Sequence, residues 1–148
     1  MRAEELMIGD WVQIVEPCKY AGARGTIKTL IDHKDDENAY FKVFLRNNPI
    51  HIGIEDICSD DICPIPLTSE ILEKNGFKMI LDEQKIPIYR IKWSRNPYLY
   101  FTIFTGVDGY FNPSGFGVAI GGVNGVVDYV HQLQHALKLC GINKEIVL

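Results

Sequence analysis

The segment Pro64-Ile65-Pro66-Leu67-Thr68 constrains this chain more than any other feature. Two prolines around one residue neither continue a helix nor fit the interior of a sheet, so the elements on either side must be built separately. The hydrophobic period also changes there, from alternation to helical spacing. Two domains are therefore expected, a small β-barrel-like one over 1–66 and an α+β one over 67–148.

Before the joint the apolar residues fall in short runs. Trp11, Val12, Ile14 and Val15 follow the Gly9-Asp10 turn, and Thr26 to Ile31 follows the glycines of YAGARGTI. The charged run 32–38 offers nothing to bury and reads as a loop. In Tyr40 to Leu45, Phe41, Val43 and Leu45 fall on one face, and Ile50, Ile52 and Ile54 alternate again after an Asn-Asn-Pro turn. Short, evenly spaced strands of this kind close most simply into a five-stranded barrel.

After the joint, Thr68 is placed to cap a helix of about two turns, with Leu67 and Leu72 as its hydrophobic staple. Asn75-Gly76 ends it. Antiparallel strands are expected over Ile86–Ser94, Tyr98–Thr105 and a third segment ending at Ile120. In the first of these Tyr89, Ile91 and Trp93 oppose Ile88, Arg90, Lys92 and Ser94. A final helix over Val126–Leu139 carries an apolar stripe at Val126, Val130, Leu133 and Leu137, which leaves Asp128, His131, His135 and Lys138 facing solvent. The fold class expected is α+β.

Several chemistries lose their footing in the spacing. His131 and His135 stand four apart, as metal-binding helix histidines do, but Gln132, Leu133 and Gln134 supply no carboxylate. Cys58-x4-Cys63 is wider than the usual zinc knuckle and would need two more ligands, such as Cys18 and His51; reduced core thiols are the simpler expectation for Cys18, Cys58, Cys63 and Cys140. Gly121 to Gly125 lacks the Lys-Ser/Thr ending of a phosphate-binding loop and reads as a flexible turn. The acids Asp56, Asp60 and Asp61 read as a solvated turn. No nucleophile signature surrounds any Cys or His, so neither catalysis nor a cofactor is expected.

Charge narrows the partners. Residues 1–66 hold 7 Lys/Arg against 12 Asp/Glu, net −5, while 67–148 hold 8 against 7, net +1. A half at −5 repels phosphate at long range. The best binding signal is YRIKWSRNPYLYF, in which Arg90, Lys92, Arg95, Tyr98 and Tyr100 mix cations with aromatic rings. No apolar run reaches the 18 residues of a membrane span, and MRAEELMIGDWV has no secretory h-region, so a cytoplasmic location is expected.

Two resemblances add to this. GDWVQI followed by YAGARGTIKTL is similar to the small KOW-type barrel of translation and transcription proteins, with Gly22, Gly25 and Ile27 at the places of that family's first hairpin. The resemblance implies RNA or ribosome binding, for which Arg24 and Lys28 are the nearest cations. Nearly end to end, the chain also resembles uncharacterised bacterial proteins, some associated with phage or other mobile elements. They share Ile8 to Val12, Pro64 to Thr68 with Leu72 to Phe77, and Tyr129 to Gln134. That second resemblance implies one fixed architecture and no activity.

The function expected is a non-catalytic interaction module that binds a protein partner or its own copy. The alternative is a nucleic-acid-associated accessory protein using Arg24, Lys28, Arg90, Lys92, Arg95, Tyr98 and Tyr100; a metal protein or enzyme built on His131/His135 or the cysteines ranks last.

Overall fold

Alternating apolar residues pair into ladders wherever one face can be buried, and ten strands pair among the described residues. A computed structural model describes residues 5–31, 40–45, 53–81, 83, 85, 87–92, 100–105, 116–120 and 123–148. It forms two units, Met1–Ile65 and Pro66–Leu148. Among the described residues the fold is α+β, with two antiparallel sheets and two α-helices.

The first unit contains β1 (Trp11–Ile14), β2 (Arg24–Ile31), β3 (Tyr40–Leu45), β4 (Gly53–Cys58) and β5 (Ile62–Pro64), with a 3-10 turn over Ser59–Asp61. Their order, β4-β3-β2-β1-β5, brings the last strand back beside the first. Phe41, Val43 and Leu45 are buried together with Val12, Ile14, Ile27, Ile57 and Ile62, as alternation requires. One detail differs from the sequence expectation. Ile54 points outward and the strand runs on through Glu55–Cys58, placing Asp56 on a strand where Lys42 pairs with it at 3.0 Å. The β2–β3 register slips at Lys28, which sits in a bulge between Ile27↔Val43 and Thr29↔Lys42. The expected turn at 47–49 lies outside the described residues.

The second unit opens with α1 (Ser69–Lys74). Thr68 Oγ1 accepts from the Ile71 amide at 3.3 Å, a cap worth about 1 kcal/mol. Leu67 and Leu72 are buried as a staple requires, and Gly76 ends the turn at φ +77°, where a side chain would be strained. Five strands follow: β6 (Lys78–Leu81), β7 (Pro87–Lys92), β8 (Tyr100–Thr105), β9 (Phe116–Ile120) and β10 (Val123–Val126). They pair in sequence order, so β6 and β10 are the edges. Both edges were missed in the sequence reading. Of the glycine-rich segment expected as a turn, Val123, Asn124 and Gly125 lie in β10, with Asn124 opposite Ala119 and Gly125 opposite Val118, and Gly121 and Gly122 lie outside the described residues.

The last helix, α2, spans Val130–Leu139 and not Val126–Leu139. Gln132 Oε1 accepts from the amides of Asp128 and Tyr129 at 2.8 and 3.2 Å, so helical bonding starts only there. Val126 belongs to β10 and is 48% exposed. The buried positions of α2 are Val130, His131, Leu133, Gln134 and Leu137. His131, expected in solvent, is therefore only 3% exposed. No helix among the described residues is long and apolar enough to cross a membrane.

Candidate functional site

Pairing of β6 with β7 sets Lys78 opposite Arg90 and Ile80 opposite Ile88. Strand side chains two apart share a face, so Arg90 and Lys92 stand on the same side of β7. The two strands and the α1–β6 turn enclose a cavity of about 490 Å³ lined by Gly76, Lys78, Ile80, Arg90, Ile91 and Lys92. That volume falls in the range of small-ligand pockets. Among the described residues that line it, three are cations and none is acidic. Like charges set directly across a strand pair oppose each other, and Lys78 stands in that relation to Arg90. Ile80, two residues from Lys78 and so on the same face, gives the cavity an apolar wall, while Ile91 alternates with Arg90 and Lys92 and belongs to the opposite face.

Lys78 carries this arrangement and the sequence reading did not find it. The signal was weak, since Lys-Met-Ile-Leu shows no alternation; only the strand register brings Lys78 to Arg90. Register sets Tyr100 opposite Lys92 and Thr102 opposite Arg90 on β8. Arg95 and Tyr98 lie outside the described residues. Arg24 and Lys28 belong to the first unit, where Arg24 Nε donates to Gln13 Oε1 at 3.4 Å and Lys28 Nζ lies 5.6 Å from the Phe44 ring centroid. In that unit Lys19 Nζ also sits 4.5 Å over the Tyr20 ring, and its hydrogen bond with Tyr20 raises the Lys19 pKa.

The histidine pair forms a ring stack. Tyr129 lies parallel to His131 at 5.8 Å, and His135 meets His131 edge-on at 5.8 Å. Among the described residues no three His, Cys, Asp or Glu side chains come together as a metal site. Cys18, Cys58 and Cys63 are half-buried free thiols; Cys140 is buried, and burial pushes its thiol pKa up. His51 lies outside the described residues.

Comparison with protein-family models, with curated proteins and with solved structures finds no match.

Proposed function

We propose that the chain is a non-catalytic binding module that docks an anionic partner on the β6–β7 face of its second unit. The convergence of Lys78, Arg90 and Lys92 on one cavity carries this reading. The first unit is read as a small barrel of the KOW type. What supports that is the return of β5 to β1, which leaves only β3 and β2 between β4 and that pairing.

A chain of net −4 has no general attraction for a polysulfated matrix, so retention must come from a local cationic patch. The protein is expected to bind immobilised heparin at low ionic strength. Lys78→Glu with Lys92→Glu, both at exposed positions, is expected to keep the fold by circular dichroism and pass through unretained. Wild-type protein in the flow-through would refute the reading.

A second reading rests on the edge strand. Met79, Ile80 and Leu81 are 50, 37 and 58% exposed on β6, whose outer side has no neighbouring strand among the described residues. Exposed apolar edges are templates for strand addition, which is how a protein partner or a second copy would dock. This reading expects a sedimentation coefficient that rises with concentration and ceases to do so in Leu81→Lys. A concentration-independent coefficient refutes pairing between copies.

A further inference from the structure

We infer that the cavity between β6 and β7 receives a nucleotide unit of a single-stranded nucleic acid, an inference that rests on the anion-docking reading above and specifies its ligand. The cavity is much larger than a phosphate requires, and its composition is divided. Lys78, Arg90 and Lys92 supply charge, while Ile80 on the same face supplies an apolar wall against which a base can lie. A ligand that satisfies both parts carries phosphate and a flat apolar surface in one small unit.

The spacing of the cations agrees with a track and not a point site. Arg90 and Lys92 are two residues apart on one strand, about 7 Å along it. Lys78 faces Arg90 across the ladder, with Cβ atoms about 5 Å apart. A guanidinium flanked by two ammonium groups at these intervals can hold successive phosphates of an extended strand, with Arg90 as the bidentate centre. On the α1–β6 turn Gly76 adds no side chain to the lining, and no described atom lies within 4 Å of where its Cβ would stand. A duplex is recognised by an element that protrudes into its groove, whereas this site is a recess. Single strands are held in cation-lined grooves that track the phosphate backbone.

The test is fluorescence anisotropy with labelled oligothymidylate, using thymidine monophosphate, a duplex of equal length and poly-glutamate as competitors. Three phosphate contacts predict an affinity that falls about twentyfold when salt rises fourfold. Lys78→Glu and Lys92→Glu are each expected to weaken binding about tenfold and to flatten the salt dependence. Ile80→Ala is expected to weaken it about threefold with the salt dependence unchanged, which separates the apolar wall from charge alone. Oligothymidylate binding that survives both lysine reversals overturns the assignment. Equal competition by the mononucleotide, the duplex or poly-glutamate overturns it in favour of that ligand. Retention on heparin without oligothymidylate binding sinks the nucleic-acid inference alone; loss of both sinks the docking reading as well.

Discussion

Gly25→Ala is expected to cost the first unit about 3 kcal/mol, and Gly25→Val to leave it unfolded. Gly25 is interior to β2 and pairs on both sides, with Val12 of β1 and Leu45 of β3. A Cβ there would stand 2.6 Å from the Phe44 carbonyl oxygen and 2.7 Å from Val43 Cγ1. Neither can yield. The carbonyl belongs to the backbone of the paired strand, and Val43 is fully buried among Ile27, Phe41 and Leu45. Relief requires β3 to move off β2, which breaks ladder bonds and opens the core at once. Gly76→Ala makes a useful contrast. Its Cβ would meet nothing within 4 Å, so the whole penalty is the positive φ, about 1 kcal/mol. Chemical denaturation of the two variants checks the pair, with amide exchange over β2 and β3 locating the loss. An alanine at position 25 within about 0.5 kcal/mol of wild type would mean that β2 and β3 are not in this close contact.

How much of this could be read from the residues depends on whether a face is buried. In β3 one face is core and the other is not, so period two is written into Phe41, Val43 and Leu45 and the strand is visible. The ends of α1 are visible for a similar reason, since a helix start favours a short side-chain acceptor such as Thr68 and a left-handed stop favours a Gly such as Gly76. β6 obeys no such rule. It is an edge strand exposed along its whole length, and exposure on both faces imposes no alternation. Losing β6 also hid half the candidate site: Arg90 and Lys92 were identified by their own strand, but Lys78 becomes their neighbour only through inter-strand register. In α2 the error was one of phase. Val126 and Val130 stand four apart and imitate a helical stripe, yet they lie in different elements. Removing Val126 moves the buried face towards Gln134 and carries His131 inside.

Asn75→Ala is expected to destabilise the second unit by about 3–4 kcal/mol, far more than an ordinary helix C-cap substitution. The side chain is 3% exposed and makes three bonds at once. Its amide donates to the Ile71 carbonyl at 2.8 Å and to the Val147 carbonyl at 2.7 Å, while its Oδ1 accepts from the Val147 amide at 2.9 Å. Asn75 thus pairs with Val147 as a strand residue would, and ties down a segment that forms no strand among the described residues. Lys74 Nζ adds a bond to the Leu148 carbonyl, and the fully buried Ile146 is seated between this clamp and α2 in sequence. Alanine removes all three bonds and leaves two part-buried backbone groups of Val147 without partners, each costing about 1–3 kcal/mol. Asn75→Asp discriminates further. It keeps the acceptor for the Val147 amide but sets a carboxylate against the two carbonyls, so its deficit should exceed that of alanine near neutral pH. Protonation restores one donor, and the deficit should shrink as pH falls through the carboxyl range. Denaturant titrations at two pH values, with exchange of the Val147 amide, read both effects. A deficit for Asn75→Asp that is independent of pH would show that the side chain does not face those carbonyls.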